Sequence, residues 1–155
     1  MQQAIEIAQN FAKQTGITET KCVWKDIISN DAYINLAPVQ NGVILYPDLI
    51  KVKVDLFSGN VIGFEASSYY INHTQRNLTP AKVDSAQAQQ KVPQGYLIKN
   101  TRLCLAPLEY NREVLCYEIM CTQNGETYYF YINANSGAIE NILKTVETDN
   151  GNLLL

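Results

Sequence analysis

The chain has 155 residues and a formal net charge of −3, with 46% hydrophobic and 17% charged residues. This composition is typical of a folded protein with one good core or two small ones, and it excludes a disordered chain. Lys and Arg are scattered without a basic stripe among aromatic residues, so no nucleic-acid partner is expected.

The first predicted element is an amphipathic helix close to the N terminus. Gly16 suits the position just after its C terminus, where the backbone is often left-handed. Met1 leads directly into this helix, and no apolar run is long enough to cross a bilayer, so neither a signal peptide nor a membrane span is expected. The chain is therefore expected to be soluble and to make no membrane contact itself. The apolar face of the helix comprises Ala4, Ile5, Ala8, Phe11 and Ala12.

Strands are predicted next, and Asn41-Gly42 predicts a type I′ turn because both centre positions need positive φ. Tyr46-Pro47-Asp48 interrupts the third strand and is predicted to be a bulge or an excursion at the sheet edge. The predicted strands span 21–28, 32–38, 43–56 and 61–66.

The hairpin that ends this group occurs twice in the chain. VDLFSGNVIGFE contains Asp55 and Gly59, and INANSGAIENIL contains Asn133 and Gly137 at the same places. Asp55 and Asn133 can accept hydrogen bonds from turn amides, and the two glycines can supply the left-handed residue that closes each turn. These four residues are predicted to be structural turn residues. A calcium loop is disfavoured because the turn has one acidic residue, where such loops need several oxygen ligands.

The second half of the chain begins after a predicted connector at residues 71–83. Asp84 and Gln87 have the spacing of a capping box, which predicts a short helix that ends near Pro93 and Gly95. Asn124-Gly125 predicts another type I′ turn. The predicted strands span 96–105, 113–122, 127–134 and 138–143.

The sequence therefore predicts an α+β fold of two tandem units, residues 1–70 and residues 84–155. Each unit is expected to pack one helix on a three- to four-stranded antiparallel sheet, with a similar order of elements in both.

The third strand of the second unit is rich in aromatic residues. Alternation places Tyr129 and Tyr131 on the face opposite Phe130. One helix covers one face, so the other face is expected to pack against the sister unit, to be partly hydrated, or to contact a partner. Tyr129 and Tyr131 are the candidate partner-surface residues, with Tyr69 and Tyr70 as weaker candidates.

The residues that could carry chemistry are isolated in the sequence. His73, the one histidine, lies in the predicted connector, where ordinary hydrogen bonds are expected and no Cys–His signature is present. Glu118 and Glu140 are single acids without a second carboxylate at a recognisable spacing. No catalytic residue, metal ligand or cofactor is therefore predicted.

Four cysteines occur at irregular spacing: Cys22, Cys104, Cys116 and Cys121. No CxxC motif is present, and buried small apolar side chains are the expected role. Disulfides are the alternative, although Cys116 and Cys121 lie five apart on one strand, point to opposite faces and cannot pair with each other.

The order of helix, antiparallel meander and closing hairpin resembles the PepSY domain family. More narrowly, VLCYEI, the run YFYINANSG and the tail TDNG are similar to the end of YpeB-like spore germination proteins. The resemblance covers nearly the whole chain as two tandem PepSY-like units.

This resemblance implies a non-enzymatic role. YpeB-like proteins carry an N-terminal membrane anchor and act with a cortex-lytic enzyme, SleB, so it implies a protein that binds, stabilises or localises such a hydrolase. It also implies a location in the bacterial spore, outside the inner membrane, with an anchor in an N-terminal segment that this chain lacks. The alternative is a PepSY-type inhibitor of a protease or other hydrolase, for which the Tyr46-Pro47-Asp48 excursion would be the inserted segment.

Overall fold

The computed structural model describes residues 1–108, 112–148 and 151–154. The structure is mixed α+β and consists mostly of strands, which confirms the predicted class. It divides into two compact units, Met1–Thr74 and Gln75–Thr148, with Gly151 assigned to the first and Asn152 to the second. The division lies within the predicted connector, whose bounds of 71–83 stay a prediction.

The first unit has an antiparallel sheet in the order β1-β2-β4-β5, and β3 forms a short hairpin with the end of β2. Its elements are α1 (Gln2–Gln14), β1 (Thr20–Ile28), β2 (Asp31–Gln40), β3 (Val43–Leu45), the 3₁₀ helix η1 (Tyr46–Asp48), β4 (Ile50–Asp55), β5 (Val61–Glu65) and α2 (Ser67–Asn72).

Helix α1 covers one face of this sheet because its apolar side chains recur at helical spacing and those of β2 and β4 alternate. The helix ends in a Schellman motif: the amide of Ile17 donates to the carbonyl of Ala12 at 3.0 Å, and that of Gly16 to Lys13 at 3.1 Å. Gly16 has φ +93° there. The buried core between helix and sheet includes Ala4, Ile5, Ala8, Ala12, Ile34, Leu36, Val52 and Val54.

The second unit has an antiparallel meander in the order β6-β7-β8-β9, with β10 beside β9. Each predicted strand is present, and β9 extends beyond its predicted end at residue 143 to Thr148. The elements are α3 (Ser85–Gln89), β6 (Leu97–Leu108), β7 (Arg112–Gln123), β8 (Glu126–Asn133), β9 (Ile139–Thr148) and β10 (Gly151–Leu154).

The predicted capping box of α3 is confirmed. Asp84 Oδ1 accepts from the amide of Gln87 at 2.7 Å, and Gln87 Oε1 accepts from the amide of Asp84 at 2.9 Å. These bonds satisfy two amides that a short helix otherwise leaves without partners. Ala88 of α3 then packs into a core formed with residues of β7 and β8: Ile119, Cys121, Phe130 and Ile132.

The repeated hairpin turns have the same backbone geometry. In the first turn (residues 55–59), the amide of Gly59 donates to the carbonyl of Asp55 at 2.8 Å, and in the second turn (residues 133–137) Gly137 donates to Asn133 at 2.8 Å. The two glycines have φ +72° and +73°. Both predicted Asn-Gly turns are confirmed too, because all four of their residues have positive φ: Asn41, Gly42, Asn124 and Gly125.

Gly59→Ala and Gly137→Ala are each expected to lower the free energy of unfolding by about 1–2 kcal/mol, because a Cβ disfavours left-handed backbone. The space is adequate, since an added Cβ would be 3.7 Å from Ile7 at Gly59 and 3.6 Å from Val83 at Gly137. Urea unfolding of the two variants and of Gly59→Asn tests this. Gly59→Asn should lose less unfolding free energy than Gly59→Ala, because Asn tolerates left-handed backbone. Equal stability of parent and both Ala variants would contradict it.

Three segments differ from the sequence predictions, and one of them is strand β10, which was not predicted. Tyr46-Pro47-Asp48 is not an edge excursion: it forms η1, and Asp48 is fully buried. The segment is therefore folded into the first unit, and the inhibitor alternative loses its candidate insertion segment. Helix α2 was not predicted, and it occupies residues assigned to the end of the first unit and the start of the connector.

Candidate partner surface

Tyr131, one of the two main candidates, is buried in this structure. Its side chain is 9% exposed, and its hydroxyl donates to Glu118 Oε2 at 2.9 Å. Burial raises the pKa of Tyr131, and the carboxylate of Glu118 raises it further. As a correction to the sequence prediction, Tyr131 is therefore a core residue in this structure and has little surface to offer a partner.

Glu118 is the centre of a polar row across three strands. Arg102, Glu118 and Tyr131 occupy directly opposed positions on β6, β7 and β8. Glu118 is 3% exposed, and Arg102 Nε donates to its Oε1 at 2.5 Å. A buried carboxylate needs such a cation and hydrogen bonds to offset its lost hydration. From the sequence, Glu118 is a single acid without a partner at a recognisable spacing, so this row was not predicted. The predicted pairing of the two strands could have indicated Arg102.

Tyr129 lies two residues before Tyr131 on the same face of β8 and is half-buried. Burial raises the pKa of its hydroxyl, and the carboxylate of Glu118 is a second cause. Tyr129 therefore offers a partner less surface than a fully exposed ring would.

The weaker candidates from the sequence, Tyr69 and Tyr70, lie on α2 and differ in exposure. Tyr69 packs against the core of the first unit, and its ring stacks on that of His73 with centroids 4.3 Å apart. Burial raises the pKa of Tyr69. Tyr70 contacts Tyr69 edge to face at 5.5 Å but is itself 64% exposed. Tyr69 thus contacts both the core of the first unit and the ring of Tyr70.

His73 fixes the end of α2 to the 3₁₀ helix η1. Its Nδ1 lies 2.7 Å from Oδ2 of the buried Asp48, and Asn72 Nδ2 donates to the carbonyl of Pro47 at 3.4 Å. Asp48 and His73 are far apart in sequence, and the fold brings them together. This anchor holds α2 in place, although a helix of six residues would be unstable alone.

Helix α2 exposes two large apolar side chains next to each other in sequence, besides the polar Ser67 and Asn72. Ile71 is 79% exposed beside Tyr70. We call these two residues the α2 patch. An aromatic and an aliphatic side chain on a rigid support are typical of contact surfaces, because a partner can bury them without first ordering them. Of the candidate residues from the sequence, Tyr70 is the one that the structure exposes most.

The cysteines are all free thiols, and the prediction that they are buried is confirmed for three of the four. Burial raises the pKa of Cys116 to about 12, and it also raises the pKa of Cys104 and Cys121. A thiol in that state does not supply a thiolate nucleophile near neutral pH. Cys22 is half-buried.

Within residues 1–108, 112–148 and 151–154, no group of three or more His, Cys, Asp or Glu side chains could hold a metal ion. In the same part of the chain, no helix has the length and hydrophobicity to span a membrane.

Two models of known protein families match this chain, and together they cover nearly all of it. Residues 1–79 match the model of the YpeB sporulation, PepSY1 and PepSY2 domains, and residues 78–143 match that of the peptidase propeptide and YPEB domain.

The chain is similar to two curated sporulation proteins named YpeB. It is 37% identical to that of Bacillus subtilis (strain 168) over 107 residues, which are 69% of this chain and 24% of the relative. It is 36% identical to that of Halalkalibacterium halodurans over 111 residues, 72% of this chain and 25% of the relative. The chain thus spans about a quarter of the length of these relatives.

A solved structure is similar as well. The Bacillus megaterium YpeB C-terminal domain aligns with a TM-score of 0.82 and 30% identity, over 91% of this chain and 63% of that one.

Proposed function

Because the chain belongs to the YpeB family of sporulation proteins with PepSY domains, we propose that it is a non-enzymatic, partner-binding region. Its proposed partner is a spore cortex-lytic hydrolase of the SleB type, which it binds, stabilises or localises. The observation that carries the proposal is the α2 patch, where Tyr70 and Ile71 are exposed on a helix fixed from beneath by Tyr69 and His73.

The chemistry of the buried polar groups supports a non-enzymatic role. Glu118 is bound by Arg102 and Tyr131, and Asp48 lies against His73. Both carboxylates are buried, so a substrate could not reach either as a general acid or base without local unfolding. These groups stabilise the fold and leave binding as the function that the exposed surface can serve.

We also propose that the two units are tandem PepSY-like repeats of one helix on one antiparallel sheet. In the first, α1 packs on β2 and β4, and in the second, α3 packs on β7 and β8. The repeated turn, with Asp55 or Asn133 at its start, closes the hairpin of each unit.

The relatives are sporulation proteins, which gives the chain a spore context. A location outside the inner membrane, with anchoring by an N-terminal segment of a longer protein, is part of the proposal. It rests on the resemblance to YpeB-like proteins.

A binding experiment with the purified chain and the cortex-lytic hydrolase of the same organism tests the proposal. Titration calorimetry should show saturable binding, and Tyr70→Ala with Ile71→Ala should weaken it about tenfold or more, as expected for exposed anchor residues. The melting temperature should not change. Ile142→Ala is the matched control, because Ile142 is an exposed aliphatic residue that does not belong to the α2 patch.

Activity of the hydrolase on soluble peptidoglycan, measured in the same mixtures, separates the two hypotheses. Binding without loss of activity supports the assembly role. Stoichiometric inhibition would favour the inhibitor alternative, and no binding by the parent chain would contradict the proposal.

A further inference from the structure

The two copies of the hairpin turn provide an internal comparison of what the fold itself requires. At the second position of the turn, Leu56 of the first copy corresponds to Ala134, which is fully buried. At the third position, Phe57 corresponds to Asn135. The backbone hydrogen bonds and the left-handed glycines are the same in both copies, so the turn does not need an aromatic residue.

Phe57 is 92% exposed, which leaves its ring almost wholly in water. A ring in that position contributes almost nothing to stability through burial, whereas the same ring in a core would contribute substantially. Leu56 and Ile62 of the same hairpin are also exposed apolar residues. The first copy of the hairpin therefore carries exposed apolar side chains, and folding does not explain the ring of Phe57.

The backbone that carries Phe57 is held firmly. Asp55 Oδ1 accepts from the amide of Phe57 at 2.8 Å and from Asn30 Nδ2 at 2.9 Å, and Asp55 Oδ2 accepts from Ser58 Oγ at 2.8 Å. The amide of Leu56 donates to the carbonyl of Asn30 at 2.9 Å. A side chain on a pre-ordered turn loses less conformational entropy on binding than one on a flexible loop.

The charge beside the ring defines the kind of site that it fits. The amide of Phe57, followed by Ser58, lowers the pKa of Asp55, so its carboxylate is ionised at neutral pH. In the second turn the same place is occupied by the neutral Asn133. An exposed ring next to a fixed carboxylate is complementary to an apolar pocket with Lys or Arg at its edge.

We propose that the first turn is a second contact for the hydrolase partner, with Phe57 inserted into an apolar pocket that has a basic edge. This inference rests on the proposed function and identifies a different part of the partner surface from the α2 patch. The contact belongs to the first unit alone, because the second turn lacks both the ring and the charge.

Converting the first turn into the second one tests this without disturbing the fold. Leu56→Ala combined with Phe57→Asn reproduces the residues of the sister turn, and the melting temperature is expected to stay within about 2 °C of the parent. Binding to the cortex-lytic hydrolase, measured by titration calorimetry, should weaken about tenfold or more. Asp55→Asn should weaken binding less and reduce its dependence on salt. The matched control, Asn135→Phe, should leave binding unchanged.

The outcomes separate the two proposals. If the parent binds and the converted turn binds equally well, the first turn is not a contact and the proposed function stands. If the parent does not bind, both proposals fail. If sedimentation shows that Phe57→Asn dissociates a dimer while hydrolase binding is unchanged, a second copy of the chain occupies the site, and this inference is overturned.

Discussion

Arg102→Met is expected to lower the free energy of unfolding by about 3–5 kcal/mol, because it removes the cationic partner of a buried carboxylate. Glu118 is almost wholly inaccessible to water, and Arg102 Nε donates directly to it. Without the guanidinium, the carboxylate of Glu118 loses the cation that offsets its lost hydration. Urea unfolding, followed by circular dichroism, measures the change.

Two controls separate this effect from a general loss of packing. Arg102→Met combined with Glu118→Leu removes both charges and should recover much of the lost stability, because an apolar pair needs no compensation. Lys144→Met breaks an exposed ion pair with Glu126, 3.2 Å long, and should cost less than about 1 kcal/mol. If Arg102→Met and Lys144→Met destabilise equally, Glu118 does not depend on Arg102.

Tyr131→Ala is expected to destabilise the chain by about 3–5 kcal/mol, as truncation of a large buried side chain does. The ring is buried and its hydroxyl binds Glu118, so both packing and a hydrogen bond to a charged group are lost. Tyr131→Phe removes the hydroxyl alone and should cost about 1–3 kcal/mol.

Tyr70→Ala is the matched comparison, because the same change is made on an exposed ring of α2. It should change stability by no more than about 0.5 kcal/mol. Thermal unfolding of Tyr131→Ala and Tyr70→Ala, measured side by side, tests this prediction. A Tyr131→Ala variant that melts like Tyr70→Ala would mean that Tyr131 is exposed in solution, which is one of the alternatives that the sequence leaves open.

The features that the sequence predicted correctly depend on residues close together in the chain. The capping box needs Asp84 and Gln87, which are three residues apart, and the Asn-Gly turns need adjacent residues. The strands were recognisable because period-2 alternation is also local. These signals define most elements of both units.

The features that were missed depend on contacts between distant residues. Nothing near Asp48 indicates that His73 will lie against it, and η1 is formed by residues that otherwise suggest a bulge. Alternation grouped Tyr129 with Tyr131 on one face, but it could not show that Tyr131 is buried with Arg102 and Glu118. Burial depends on what covers a face, which a single strand does not reveal.

Amide hydrogen exchange, measured with and without the cortex-lytic hydrolase, tests the central claim most directly, because binding slows exchange where the partner covers or stabilises the backbone. The account predicts slower exchange in α2 and in the first turn, and unchanged exchange in β7, which carries Glu118. Protection confined to β6–β8, or no change anywhere in the first unit, would contradict it.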